Sequence, residues 1–480
     1  MSRNLYVPDN LNLDSLIENN FPAIGEAIHY GITKDNLAYI IDLIVRKREF
    51  YKKINSWEFI NLKAAYLKNI LGDDYVNCIK FLKENGIIEC DGIIKKGEKS
   101  LGYRIALPFR GSNILEVEPS FDIKQKLNRF RLKELDANPV LKSLYASRTH
   151  LIQTLKSEAF SIDIKSAFRE LETNYKTKMY IRHQSKATYS GEDAAEVEAE
   201  INSAISLHKK NIEKLYTKSF EPVIDIAGQR LHSPITNMHK ILRKFLTFKG
   251  EPLVSLDLKN SQPYLSLLTL NKKFYKYNNN KTLKYFDFEY YINLFHTHTP
   301  YKILDLVESL ENIDDVTLYN YIEDAKNGVI YDRFLEVQPN DEFYEELRSE
   351  IKGDFFTCMF DKGYRMKFYE EFYEAYKLPF QLFEALKSVK GKYFKYKNGE
   401  KVDMGHGRLA VLLQRIESNL ILDEICKKIY RTDKNIPLIT VHDSIATLSQ
   451  YKDFVKKTIE EELTEVIGFP PRIKEENWIP

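Results

Sequence analysis

Two short apolar segments, far apart in the chain, each contain one aspartate, and this pair limits the folds that the sequence can adopt. The first segment is LVSLDLKNSQPYL at 253 to 265, and the second is IPLITVHDSIATL at 436 to 448. Short runs of apolar and β-branched residues predict strands. Carboxylates delivered from different strands to one point can hold two divalent cations about 4 Å apart. The pattern therefore predicts that Asp257 and Asp443 meet.

Each aspartate also has an ordinary structural interpretation. Asp257 could be the N-cap of a helix that begins in SQPYLSLLTL. Asp443, beside His442, could be a solvated residue of a hairpin turn. A charge between apolar runs is costly to bury unless it is paired or binds a metal, which favours a ligand role for Asp443.

Between these segments, four side chains at four-residue intervals predict a helical stripe that is cationic at its start and aromatic at its end. Such a stripe can meet a triphosphate with one half and a base with the other. The alternative is an ordinary core face around Phe355 and Met359, with the basic residues solvated. The stripe consists of Arg348, Lys352, Phe356 and Phe360.

A polar segment, AGQRLHSPITNM at 227 to 238, precedes the first aspartate. Its side chains supply many hydrogen-bond donors suited to phosphate, sugar and minor-groove atoms, and a plain polar loop is the alternative. The residues concerned include Gln229, Arg230, His232, Ser233, Thr236 and Asn237.

The amino-terminal part predicts two short helices and a hairpin between residues 57 and 107. This segment resembles winged-helix domains, with Lys80 on the second helix and Lys95 and Lys96 in the wing as DNA contacts. A packing or dimerisation module with solvated lysines is the alternative. The helical, basic region that follows predicts an extended helical hairpin, or else a solvated helix face.

Composition restricts the partners and the compartment. Lys and Arg number 71 against 69 Asp and Glu, a net charge of +2, so any nucleic-acid footprint is local. The four cysteines form no CxxC pair, and no secretory or membrane-spanning segment is apparent. We therefore expect a cytoplasmic protein without a membrane partner.

Taken in order, these motifs resemble the polymerase core of the family A DNA polymerases and, more remotely, the single-subunit phage-type RNA polymerases. QRLHSPITNM is similar to the segment that reads primer-template, and LVSLDLKNSQPYL to the first palm motif. The stripe is similar to the fingers helix, and LLQRIESNL and TVHDS to the last two motifs. The resemblance covers residues 226 to 480.

The resemblance implies an α+β right-hand polymerase. Residues 1–115 would be the winged helix, 116–225 the thumb-like region, and 226–480 the palm and fingers. Two Mg²⁺ ions, replaceable by Mn²⁺, would bind Asp257, Asp443 and the Leu258 carbonyl. Lys352 would also be an acid for the leaving group.

Other roles follow from the same resemblance. Arg348, Lys352, Phe356 and Phe360 would bind the nucleotide, and Arg230, His232, Asn237, Gln414 and His442 the DNA. Two extra residues precede Ser261, and Tyr264 aligns with the family's sugar-excluding glutamate, so Tyr264 is expected to be the sugar gate. Ser444 and Asp361 also depart from the family pattern.

The expected function is primer extension with dNTPs on template DNA, without proofreading, in a phage, plasmid or other mobile element. Primer-template DNA, dNTPs and a helicase, primase or replication initiator are the expected partners. Two alternatives stay open. One is an RNA polymerase or primase on the same scaffold, and the other is a non-catalytic DNA-binding replication initiator.

Overall fold

The computed structural model describes residues 4–50, 59–93, 100–190, 194–271, 274, 306, 308, 315–336, 343–361, 366–388, 394–397, 400–403 and 408–480. Helices and antiparallel sheets form two compact units. The first comprises residues 1–142, 161–221 and 233–246, and the second 143–160, 222–232 and 247–480. The predicted boundaries at residues 115 and 225 stay predictions. Among the described helices, none is long and apolar enough to cross a bilayer.

The α-helices of the described residues are numbered here in chain order. They are α1 (Leu13–Asn20), α2 (Ile24–His29), α3 (Lys34–Phe50), α4 (Ala64–Leu71), α5 (Tyr75–Glu84), α6 (Phe121–Asp136), α7 (Pro139–Ser147), α8 (Thr149–Lys156), α9 (Ile164–Glu170), α10 (Lys176–Ser190), α11 (Ala194–Thr217), α12 (Pro234–Asn237), α13 (Ser261–Ser266), α14 (Val316–Asn327), α15 (Tyr344–Phe360), α16 (Tyr369–Ala375), α17 (Lys377–Ser388), α18 (Arg408–Ser418), α19 (Cys426–Thr432) and α20 (Lys452–Ile467). A π-helical turn, Asn419–Ile425, joins α18 to α19.

The strands of the described residues are numbered in the same way. They are β1 (Leu5–Pro8), β2 (Ile60–Asn61), β3 (Ile88–Cys90), β4 (Gly102–Ile105), β5 (Ile114–Val117), β6 (Phe160–Ile162), β7 (Val223–Ile224), β8 (Leu231–His232), β9 (Leu246–Phe248), β10 (Glu251–Leu258), β11 (Phe394–Lys397), β12 (Glu400–Asp403), β13 (Ile439–Val441), β14 (Ser444–Leu448) and β15 (Ile473–Trp478).

In the first unit, α3, α4 and α5 accompany a three-stranded antiparallel sheet of order β2-β4-β3. The apolar periodicity of α5 explains its packing, because Cys78, Phe81 and Leu82 are buried while Lys80 is exposed. Gly86 follows the helix with φ 67°, a conformation that glycine adopts without steric cost. The two helices and the pairing strands predicted between residues 57 and 107 are thus present among the described residues.

The second unit is built on a sheet in which β10 has a partner on each side. β14 and then β13 pair on one side, and β15 pairs on the other, all antiparallel. Its inner strands are apolar because α20 packs against β10 and β14. The chain enters β10 through the two-residue turn Lys249–Gly250, whose φ angles of 53° and 81° fit a type I′ hairpin.

Candidate active site

The register of β10 against β14 brings the two predicted aspartates to one end of the central sheet. Asp257 is directly opposite Ser444, the residue that follows Asp443. Opposed residues of antiparallel strands have Cβ atoms about 5 Å apart. Both acids are half-buried, whereas the four residues before Asp257 are buried. Asp257 lies inside β10, and Asn260 occupies the N-cap of α13, so the N-cap interpretation of Asp257 is wrong.

Asp443 lies in a strained two-residue turn. Val441 pairs with Ser444, which leaves His442 and Asp443 as the turn between β13 and β14. The φ of His442 is 56°, the left-handed conformation that tight hairpins need at this position. For a residue other than glycine this conformation costs of order 1 kcal/mol, and such residues cluster at functional sites. The Ser444 hydroxyl donates to the Val441 carbonyl at 3.0 Å and closes the turn.

A third acid, Glu417 of α18, joins the predicted motifs inside the second unit. Arg230 donates to it through Nε at 2.8 Å and through Nη2 at 2.9 Å. Gln262, five residues after Asp257, donates to the same carboxylate at 2.5 Å. One carboxylate therefore holds together the polar segment before β10, helix α13 after β10, and helix α18.

Glu417 has an unusual titration because its side chain is only 1% exposed. Burial raises its pKa to about 7, Arg230 opposes this shift, and the Asp443 carboxylate adds to it. Glu417 is thus electrostatically coupled to Asp443, one of the two predicted metal acids. Sequence reasoning missed it, although it lies three residues after Gln414 on the same helix face.

The remaining members of the polar segment in this unit are also engaged. Burial alone would raise the pKa of Asp225, but hydrogen bonds from His232 and from backbone N–H groups lower it. The His232 ring is 6.1 Å from the His442 ring. Gly228 packs closely against Gln414, because an added Cβ would come within 2.8 Å of Gln414 Oε1 and 3.2 Å of Gln414 Cβ. His232 thus lies near the hairpin turn, and Gln414 lies against the polar segment at Gly228.

Helix α15 presents the predicted stripe beside its buried face. Ile351, Phe355, Cys358 and Met359 are buried. Arg348, Phe356 and Phe360 are half-buried, and Lys352 is exposed. The core interpretation thus holds for Phe355 and Met359, while the four stripe residues keep part of their surface exposed. The Phe356 and Phe360 rings are stacked, with centroids 5.7 Å apart.

The cationic half of the stripe lies across Tyr331. Arg348 is 5.6 Å and Lys352 is 5.9 Å from the Tyr331 ring centroid. Arg348 Nε donates to Asp332 at 2.6 Å. Burial would lower the pKa of Arg348, but Asp332 outweighs it and raises that pKa. Both cations are thus pre-positioned next to one aromatic ring.

Other predicted site residues are buried, belong to the first compact unit or lie outside the described residues. Tyr264 is 1% exposed, and its hydroxyl donates to the Phe469 carbonyl at 2.6 Å. That hydroxyl is already engaged in a hydrogen bond, and the sugar-gate role of Tyr264 stays a prediction. Asn237, at the end of α12, belongs to the first compact unit. Lys80 is exposed and 3.8 Å from Glu84, while Lys95 and Lys96 lie outside the described residues.

The acids at the sheet end suit Mg²⁺ as part of its ligand set. Mg²⁺ takes oxygen ligands, and it is commonly held by one or two carboxylates together with substrate phosphates and water. Asp257 and Asp443 supply such a pair. Among the described residues no group of three or more His, Cys, Asp or Glu could hold a metal ion. The residues therefore fit a cation that obtains its other ligands from a bound nucleotide.

Comparisons with known proteins give limited similarity. No family model matches the chain, and no curated protein matches it. Among solved structures, the POL domain of Pol1 from M. smegmatis, in complex with DNA primer-template and dNTP, aligns with a TM-score of 0.40 and 10% identity. The alignment covers 74% of this chain and 73% of that one. Because this likeness is too low to establish a shared fold, we base the function on the geometry of the site.

Proposed function

We propose that this protein is a template-directed DNA polymerase that extends a primer 3′-hydroxyl with dNTPs. The observation that carries the proposal is the β10–β14 register, which brings Asp257 and Asp443 to one end of the sheet. A polymerase of the right-hand class needs two acids from separate strands at such a point. The central sheet would be its palm, and α15 would belong to its fingers.

Asp257, Asp443 and the backbone carbonyl of Leu258 would hold two Mg²⁺ ions. When bound, this metal pair supplies Lewis-acid stabilisation of the attacking and leaving oxygens in phosphoryl transfer. Phosphoryl transfer depends mainly on positioning and electrostatics. The protein's own contribution is to fix Asp257 on β10 and Asp443 in the adjoining hairpin turn before the substrate arrives.

The stripe on α15 would bind the incoming nucleotide. Arg348 and Lys352 neutralise phosphate charge, and Lys352 is also placed to donate a proton to the pyrophosphate leaving group. Phe356 and Phe360 offer stacked rings to the sugar and base. The order of cationic and aromatic residues along the helix matches the order of phosphate and base in a nucleotide.

The DNA would contact a second set of residues. Arg230, His232, Gln414 and His442 supply donors near the primer end, and Arg230 is fixed by Glu417. In the first unit, helices α3 to α5 with the β2-β4-β3 sheet have the element order of a winged helix. We assign duplex binding to that segment and to the helical, basic region after it.

Primer extension by the purified protein tests the proposal. The assay contains Mg²⁺, a labelled primer-template and either dNTPs or rNTPs. We expect extension with dNTPs, and a loss of at least about 1000-fold in Asp257→Ala and Asp443→Ala, since each removes metal-dependent stabilisation worth several kcal/mol. Asp453→Ala is the matched control, because its side chain is 94% exposed on α20. Retained extension in the first two variants would contradict the assignment.

The same assay separates the alternatives. Incorporation of rNTPs without a primer would indicate an RNA polymerase or primase on this scaffold. Binding of one DNA sequence without extension, under any nucleotide or metal, would indicate a non-catalytic replication initiator. Duplex affinity should also fall steeply with salt if the basic segments contact phosphates.

A further inference from the structure

Tyr331 is a buried residue, and its hydroxyl group makes no described hydrogen bond within the fold. It is 1% exposed, and its hydroxyl has no hydrogen-bond partner among the residues that the structure describes. Buried hydroxyl groups are nearly always paired, because an unpaired one forfeits its hydrogen bonds to water. An unpaired hydroxyl within a candidate site indicates a partner supplied by a ligand.

The ring of Tyr331 is fixed by its neighbours. Phe355 packs edge-on against it, with centroids 5.5 Å apart, and Phe356 does so at 6.0 Å. Phe355 belongs to the buried face of α15, and Phe356 belongs to the stripe. The ring therefore has a defined position beneath the stripe, and the position of the hydroxyl follows from it.

Charged groups of the candidate site also act on the Tyr331 hydroxyl. Burial raises the pKa of its hydroxyl, and the Asp443 carboxylate acts in the same direction. The hydroxyl thus stays protonated and remains a donor. Arg348 acts in the opposite direction but does not outweigh burial.

From these contacts we propose that the Tyr331 hydroxyl hydrogen-bonds a sugar hydroxyl of the incoming nucleotide and sets sugar specificity. The inference rests on the polymerase function proposed above. A nucleotide carries its sugar between phosphates and base. Tyr331 touches the cationic half of the stripe through Arg348 and Lys352, and the aromatic half through Phe356. It therefore lies at the level of the sugar.

Binding of the nucleotide would itself make the Tyr331 hydroxyl accessible. Arg348 and Lys352 lie over the ring, and their flexible side chains are half-buried and exposed, respectively. A triphosphate draws both cations towards its oxygens, since charge-assisted hydrogen bonds are stronger than cation–ring contacts. The nucleotide sugar then occupies the space from which the cations have moved.

Tyr331→Phe tests the inference because it removes only the hydroxyl. Single-nucleotide incorporation is measured with dNTPs, rNTPs and ddNTPs. We expect KM to rise about tenfold for nucleotides that carry the contacted hydroxyl, with no change for those that lack it. An effect on dNTPs and rNTPs but not ddNTPs assigns the 3′-hydroxyl. An effect on rNTPs alone assigns the 2′-hydroxyl. An equal effect on all three, or none, overturns the inference.

Thermal unfolding supplies the second measurement, and Tyr376→Phe supplies the control. The Tyr376 hydroxyl donates to Asp324 at 2.8 Å and is buried, so its removal should lower the unfolding temperature without altering sugar preference. Tyr331→Phe should leave the unfolding temperature unchanged or higher, because no described partner loses a bond. A lower unfolding temperature with unchanged KM would assign Tyr331 a structural role and overturn the inference.

The two proposals fail in different ways. A wild-type protein that extends primers, together with an unaltered Tyr331→Phe variant, refutes the sugar contact and leaves the polymerase function intact. A wild-type protein that incorporates no nucleotide of any kind refutes both.

Discussion

Two arginine–carboxylate pairs in the second unit hold the same polar segment but differ in exposure. Arg148 and Asp423 have side chains that are 0% and 1% exposed. Arg230 and Glu417 have side chains that are 21% and 1% exposed. Arg148 also donates to the Gln229 carbonyl, next to Arg230 in the chain. The first pair is sealed in the interior, whereas the second reaches the surface.

The difference indicates separate roles for similar chemistry. Ser147 donates to Asp423 at 2.8 Å, so the buried carboxylate is bonded on several sides by protein groups. Glu417 occupies Nε and Nη2 of Arg230, and the partly exposed guanidinium keeps its Nη1 donors for a ligand. The Arg148–Asp423 pair therefore serves folding. Under the proposed function, the Arg230–Glu417 pair would orient a donor towards bound DNA.

The largest effect is expected at the sealed pair. Asp423→Ala leaves the Arg148 charge buried without its partner, which should lower the free energy of unfolding by about 3–5 kcal/mol. Urea denaturation measures the loss. The double variant Arg148→Met with Asp423→Leu should recover most of it, because no uncompensated charge remains. Equal instability of the single and double variants would refute the electrostatic explanation.

The Arg230–Glu417 pair should make the free energy of unfolding depend on pH, by about 3 kcal/mol. Burial raises the pKa of Glu417 from 4.5 to about 7, so the folded protein binds more protons than the unfolded chain between these values. The contribution of Glu417 to stability is therefore fully present below pH 4.5 and is lost by about pH 7. Urea denaturation across this range measures it. Glu417→Gln should remove this part of the pH dependence, and identical pH profiles would contradict the assignment.

One substitution made at both arginines compares the pairs directly. Arg148→Lys should lower the free energy of unfolding by about 2 kcal/mol, because a buried bidentate contact is lost. Arg230→Lys should lower it by less than about 1 kcal/mol, since this arginine is partly exposed. Primer-template KM should instead rise several-fold in Arg230→Lys. A larger stability loss at Arg230 than at Arg148 would reverse the comparison.

The smallest effect concerns the support of Glu417. Gln262→Ala removes one hydrogen bond to this carboxylate and should cost about 1 kcal/mol of stability. It should also raise the pKa of Glu417 further, because Gln262 favours the charged form. Denaturation at two pH values, on either side of about 7, measures both changes. A variant that matches the wild type in both would show that Gln262 is dispensable to the pair.

Local patterns allowed the strands and the helical stripe to be predicted. Apolar and β-branched runs around Asp257 and Asp443 encode strands through neighbouring residues alone, and β10, β13 and β14 are found there. The four-residue spacing of the stripe likewise encodes one side of α15. The residues that make up each of these signals lie within a few positions of one another in the chain.

Contacts between distant segments could not be predicted in this way. Arg148 and Asp423, or Arg230 and Glu417, meet only after the unit folds, and no local period links them. Tyr264 illustrates another limit. Its spacing from Gln262 suggested a site residue, but α13 buries every residue from Pro263 to Ser266. Only tertiary packing decides which side of so short a helix is covered.

Because β10 and β14 pair in a fixed register, the position of Asp443 depends on the length of β14. The two strands pair residue by residue from Leu253 with Leu448 to Asp257 with Ser444. Side chains alternate between the faces of a strand, so inserting or deleting a single residue within β14 would shift the hairpin tip and turn its acid away. If the protein has the proposed activity, such a length variant would retain Asp257 and Asp443 and still be inactive.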